Sequence, residues 1–234
     1  MHSGYHPPVE EYLKVVFELE EEDVAVIRAR LAERLGHSGP TVGEVVRRLV
    51  ADGHLEERDR ELRLTAQGRQ RAEAVVRKHR LAERLLVDVV GLDWAKAHQE
   101  AERWEHVISD DAEERIVVLL GHPATCPHGN PIPGSGTARA PERPLSSSQP
   151  GEQVRLSRLT ETVEVDFDTL VYLDSYGFRP GCTALVKDRS PDGALTLALG
   201  DAMMAVSPAL ASQLYVHAGP GGQPREALMG ASAG

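Results

Sequence analysis

The sequence predicts a mainly α-helical chain with a small β-domain towards its C-terminal end. Three observations carry that prediction. Through residue 120, apolar residues recur at helical spacing, with one short alternating stretch between them. Residues 121–152 are rich in proline, glycine and serine. From 153 to 217 the pattern becomes a series of short alternating runs, as strands require.

The elements follow in order. VEEYLKVVFELEEE (9–22) sets Tyr12, Val15, Val16 and Leu19 on one helical face. VAVIRARLAERL (24–35) forms a second helix, stopped at Gly36. Ser38 is positioned as an N-cap and Pro40 suits a first turn, which opens a third helix over 39–51, ended by Gly53. Two short helices joined by a glycine-containing turn make a helix-turn-helix. HLEERDRELRLT then alternates around the polar tip Arg58-Asp59-Arg60 and reads as a hairpin, or wing, joined at Thr65 to a long helix over 65–90. Gly91 breaks that helix, and helices over 94–108 and 110–120 follow, the second capped by Ser109. The runs VRLSRL, FDTLVYL, TALVKD, ALTLALG and MMAVS, with a hairpin signal at Asp192-Gly193, suggest a β-barrel of some 65 residues. The expected organisation is a winged helix-turn-helix at 1–70, a helical segment at 71–133, a linker at 134–152, the β-domain at 153–217 and a disordered tail at 218–234.

Composition narrows the function. The net charge of −10 argues against whole-surface binding to nucleic acid, but the charge is unevenly spread. Residues 1–27 hold one lysine against seven carboxylates, whereas residues 28–80 hold thirteen basic against eight acidic side chains. A basic helix-turn-helix inside an acidic chain points to DNA. Cys126 and Cys182 are too few for a disulfide framework and fit a reducing cytoplasm. No 18-residue apolar run or signal-peptide layout is present, so no membrane association is expected.

One stretch, HQEAERWEHV (98–107), concentrates metal-capable side chains. On a helix, His98, Glu102, Glu105 and His106 share a face. Spacing alone fits either a solvated charged face or a binding site.

Four segments in order, RARLAERLGHSGPTV, RKHRLAERLL, EAERWEHVISD and HGNPIPG, resemble the diphtheria toxin repressor family of metal-dependent transcriptional regulators. The resemblance is specific over residues 9–134 and only one of pattern beyond. It implies a winged helix-turn-helix, a helical dimerisation domain and a tethered SH3-like β-barrel. It implies a homodimer, or two dimers, on a palindromic double-stranded operator, with two metal sites per subunit and metal as corepressor. It implies a primary site of Glu11, Glu102, Glu105 and His106, and a second site of His79, Glu83 and His98. An oxygen ligand from the SH3-like domain is expected at Asp166, with Asp168 and Thr169 as alternatives. Iron regulators of the family carry methionine and cysteine where Glu11 and Glu102 stand, and manganese branches carry acids. Hard oxygen donors suit Mn(II), which is therefore expected over Fe(II). On the same footing Ser38, Pro40, Thr41 and Glu44 lead the recognition helix into the major groove. Arg28, Arg30, Arg47 and Arg48 are candidate phosphate contacts, and Arg58 and Arg60 extend from the wing tip.

Without metal, the clustered carboxylates are expected to repel one another and keep the reading head undocked. A helical-bundle metal enzyme would need paired Glu-x-x-His motifs. Here only Glu-x-x-x-His is well formed, from Glu102 to His106, and no nucleophile-base triad is evident. The chain is expected not to be an enzyme.

Overall fold

Helix α1 (Val9–Glu21) is buried along the whole run from Tyr12 to Leu19. In this computed structural model, which describes residues 9–136 and 141–219, the chain divides into two units, Met1–Ala138 and Arg139–Gly234.

In the first unit α1 packs on α4 (Ala66–Leu85), which in turn packs on α5 (Ala97–Trp104). Helix α2 spans Arg28–Leu35 and ends at Gly36, whose φ of 64° only glycine adopts cheaply. The four residues before Arg28, expected as helix, lie outside it, with Ile27 extended, and Val26 O accepts from Leu62 N at 2.8 Å. Ser38 caps α3 (Gly39–Ala51) as expected, its hydroxyl accepting from Thr41 N. The wing pairs β1 (Leu55–Arg58) with β2 (Glu61–Leu64), Arg58 opposite Glu61. Its two-residue turn puts Asp59 at φ 52° and Arg60 at φ 69°, a conformation that costs an arginine energy. One core of Tyr12, Val16, Leu31, Val46, Leu49 and Leu62 joins α1 to α3 and the wing. Each such side chain contributes about 1.5–3 kcal/mol by leaving water.

The expected long helix is α-helical only to Leu85 and finishes as a π-helical turn, Leu86–Val90, closed by Gly91 at φ 77°. The helix expected over 94–108 begins as a 3-10 turn, Trp94–Lys96, and stops at Trp104, so Glu105 and His106 lie just past its end. Ser109 caps α6 (Asp110–Leu119), as anticipated.

The second unit contains a six-stranded antiparallel sheet in the order β3-β8-β4-β5-β6-β7. The strands are β3 (Arg143–Pro144), β4 (Gln153–Leu159), β5 (Thr183–Arg189), β6 (Leu195–Leu199), β7 (Ala202–Val206) and β8 (Leu214–Ala218). Among the described residues β3 and β7 do not pair, so the sheet is open where a closed barrel was expected. FDTLVYL, expected as a strand, is helix α8 (Phe167–Ser175), which follows the short α7 (Glu161–Glu164). The cause is local: Asp166 caps α8 through Thr169 N, and its apolar residues Leu170 and Leu173 suit a helix face. Helix α9 (Pro208–Gln213) precedes β8. Part of the expected linker belongs to this unit, since β3 pairs with β8 and Leu145 is fully buried. Of the expected tail, Ala218 ends β8 and residues 220–234 lie outside the described residues.

Candidate metal centre

The metal-capable side chains of the first unit come together where α1, α4 and the end of α5 meet. Glu11, on the first turn of α1, approaches His106 with Oε1 2.6 Å from Nε2. His106 Nε2 is also 3.4 Å from Glu105 Oε1. Glu11, Glu105 and His106 each present a donor atom within 4.8 Å of the others. Glu102 is placed differently from the expectation. Its carboxylate lies 3.6 Å from His98 Nε2, so it faces the second group. Glu105, the C-cap of α5, still has helical backbone angles, whereas His106 lies past the last residue that a helical count describes.

The second group is buried. His79, Glu83 and His98 present donor atoms within 4.8 Å of one another. Glu83 Oε1 lies 3.3 Å from His79 Nε2 and 3.2 Å from His98 Nδ1. His79 touches both groups, with Nδ1 2.5 Å from Glu105 Oε2 and Nε2 3.2 Å from His98 Nδ1.

Two further donors were missed in the sequence. His128 Nδ1 lies 3.1 Å from Glu83 Oε1, and Cys126 brings its sulfur within 4.8 Å of both. Both are buried in the loop after α6, with His128 against Trp94, whose indole N–H donates to Pro127 O. The available signal was C-P-H-G-N, a cysteine and a histidine two residues apart.

Electrostatics distinguish these groups. Burial raises the Glu105 carboxyl, but hydrogen bonding to His79 and the ammonium of Lys14 override it and bring it to about 2. Burial likewise opposes charge on Glu83, yet His128 and His79 hold its pKa well below the ordinary value. Glu102 is lowered by its hydrogen bond to His98. Glu11 is raised, first by burial and then by Glu105, against the pull of Lys14. For His79, burial and Lys14 lower the pKa, but Glu83 and Glu105 raise it overall. In this arrangement the carboxylates are met by basic side chains: Lys14 Nζ donates to Glu105 Oε2 at 2.9 Å, and His106 meets Glu11.

The donor set suits a divalent cation on a second count. Glu105 Oε1 and Glu83 Oε2 are buried with no hydrogen bond, although each belongs to a carboxylate held ionised. A buried anionic oxygen left without a donor is costly and is what a cation would satisfy.

On the DNA-reading side, Ser38, Pro40, Glu44, Arg47 and Arg48 are exposed at α3, Thr41 is half-buried, and Ser38 Oγ lies 2.8 Å from Thr41 Oγ1. Arg58 and Arg60 are exposed on the wing, and Arg30 on α2 reaches Ala25 O. Arg28 is paired with Glu57 at 2.6 Å. In the second unit Asp166 uses its two carboxylate oxygens on Thr169, one for the backbone N–H and one for the hydroxyl. Asp168 and Thr169 lie in the first turn of α8. Glu161 and Glu164 on α7 are the buried carboxylates there.

Comparison with known proteins gives the same frame. Residues 6–61 match the N-terminal DNA-binding domain of iron-dependent repressors, and residues 65–134 match their metal-binding and dimerisation domain. Residues 143–218 match the FeoA domain. The iron-dependent repressor IdeR of Mycobacterium tuberculosis is 45% identical over 205 residues, covering 81% of this chain and 87% of that protein. The chain belongs to the iron-dependent repressor family. The diphtheria toxin repressor of Corynebacterium diphtheriae is 44% identical over 199 residues, covering 80% and 87%. A solved manganese-dependent transcriptional repressor in complex with manganese has a TM-score of 0.82 at 32% identity, covering 90% of this chain and all of that one. Members of the family are metal-dependent, DNA-binding transcriptional repressors that dimerise, and they are not enzymes.

Proposed function

We propose that the chain is a cytoplasmic Mn(II)-dependent repressor of metal-homeostasis genes, with metal as the corepressor. The observation that carries this reading is the Glu11–Glu105–His106 group, which joins the helix leading into the helix-turn-helix to the α4–α5 pair through oxygen and nitrogen donors without sulfur. Such donors suit hard ions. A bound cation would tie α1 to this pair and fix the angle at which α3 meets DNA, a shift between populated states. Glu102, 3.6 Å from His98, adds a carboxylate beside the second group. His79, Glu83 and His98 would hold the second ion, with Cys126 and His128 as further donors around Glu83. We do not extend that site to Asp166, whose two oxygens serve as a helix cap.

Exposed Val89, Val90, Val107, Val118 and Leu119, all in the segment matching the dimerisation domain, support a homodimer on a palindromic operator. In this reading α3 enters the major groove with Ser38, Pro40, Thr41 and Glu44 leading. Arg28, Arg30, Arg47 and Arg48 contact phosphate, Arg28 while also pairing with Glu57, and Arg58 and Arg60 reach an adjacent groove from the wing tip.

Fe(II) is the second reading, favoured by the 45% identical relatives named iron-dependent. The test is operator binding by fluorescence anisotropy, titrated with Mn(II), with Fe(II) under anaerobic conditions and with Zn(II). Activation by Fe(II) at a free concentration equal to or below that of Mn(II) refutes the manganese assignment. Retention of full metal response in Glu11→Ala with Glu105→Ala refutes the site.

A further inference from the structure

Lys14 has no role in the ligand scheme, yet it sits inside it. It lies three residues after Glu11 on α1, is only 3% exposed, and donates to Glu105 Oε2 at 2.9 Å. Its Nζ is also 3.4 Å from His79 Nδ1. Lysines are seldom this buried unless paired. The charge of this one acts on Glu11, His79, Glu102 and Glu105 together. It satisfies one oxygen of Glu105, whose other oxygen is buried without a hydrogen bond. The arrangement is that of a monovalent cation held by a covalent tether beside the position a divalent cation would take.

We propose that Lys14 is a built-in competitor for the metal, whose ammonium holds Glu105 in the metal-free protein and must release or share it when the ion enters. This rests on the reading of Glu11, Glu105 and His106 as a metal centre. The pair keeps α1 against α4 and α5 without metal, and it raises the metal concentration needed to load the site. A compact ammonium on a four-carbon stem can move away from the carboxylate by rotation about its own bonds, so exchange needs no backbone change. A divalent ion arriving at Glu105 meets a positive charge a few ångströms away, at a buried position where screening by salt is weak.

The experiment is calorimetric titration of the metal-free full chain with Mn(II), comparing wild type, Lys14→Met, Lys14→Gln, Lys14→Arg and Glu105→Gln. Thermal melting is followed in chelator and in Mn(II), and circular dichroism checks folding. The neutral variants should bind Mn(II) about tenfold more tightly, about 1.4 kcal/mol. They should melt lower than wild type in chelator and gain more on metal addition. Lys14→Arg, which keeps the charge, should bind no more tightly than wild type. If Lys14→Met does not fold, Lys14→Gln carries the comparison. Unchanged or weaker Mn(II) affinity in the folded neutral variants overturns the inference, as does equal tightening by Lys14→Arg. Equal binding by wild type and Glu105→Gln would instead overturn the metal-centre reading. Loss of binding in Glu105→Gln with no change in the neutral Lys14 variants would sink only the role of Lys14.

Discussion

Replacing Glu105 with glutamine, in metal-free protein, removes the anion that Lys14 and His79 share. The structure allows the cost to be worked out. A carboxyl brought from 4.5 to about 2 is favoured as the anion by about 3 kcal/mol, at about 1.4 kcal/mol for each tenfold in proton affinity. The variant keeps the shape but leaves the Lys14 ammonium buried against a neutral amide. At about 2–4 °C per kcal/mol for a chain of this size, it should melt about 6–12 °C below wild type. The pH dependence gives a second check. The Glu105 pKa is lower folded than unfolded, so its stabilisation is complete above pH 4.5 and is lost as pH falls towards 2. His79 works in the opposite sense: its pKa is raised, so its contribution is complete below 6.5 and fades as pH rises through the folded value. The difference between wild type and variant should therefore be widest near pH 5.5 and narrow on both sides. Scanning calorimetry in chelator across that range measures it. A variant melting within 2 °C of wild type at pH 5.5, or a difference that widens below pH 4, would refute the reasoning.

Three other outcomes follow from the packing of the first unit. Gly68→Ala should destabilise the first unit by about 3 kcal/mol in urea unfolding, because an added Cβ would lie 2.0 Å from the His54 carbonyl oxygen, a backbone atom that cannot step aside. An unchanged midpoint would count against that close approach. Val118→Asp with Leu119→Asp should shift sedimentation towards monomer at concentrations where wild type is dimeric, since both side chains are 63% exposed on α6; a wild-type profile would remove α6 from the dimer contact. Arg60→Gly should raise stability by about 1 kcal/mol, since Arg60 stands at φ 69°, while lowering affinity for any DNA sequence. A fall in stability would show that its side chain contributes more than its backbone costs.

Much of the site was legible as periodicity. His79 and Glu83 lie one turn apart on α4, and a helix of that length keeps such a pair on one face. The capping residues Ser38 and Ser109 were also readable, because a hydroxyl before a helix has a local reason to be there. What failed depended on where elements end. Helix α5 ends before His106, and Glu102 turns towards His98 instead of joining Glu11, Glu105 and His106. FDTLVYL alternates well enough for a strand, and only the cap at Asp166 and its flanking turn decide for a helix. Cys126 and His128 reach Glu83 from a loop, where no period links distant positions. Lys14 was legible as a residue of α1 but not as a partner, since Glu105 is ninety-one positions away.

His79 stands between two sets of donors, one ring nitrogen towards Glu105 and the other towards Glu83 and His98. A neutral imidazole has one proton to distribute between its nitrogens. Whatever takes one nitrogen therefore decides whether the other donates or accepts, and occupancy on one side becomes a chemical variable of the other. Such a ring makes the response to metal a joint property of both groups, so a titration curve would be steeper, or shallower, than two independent sites allow.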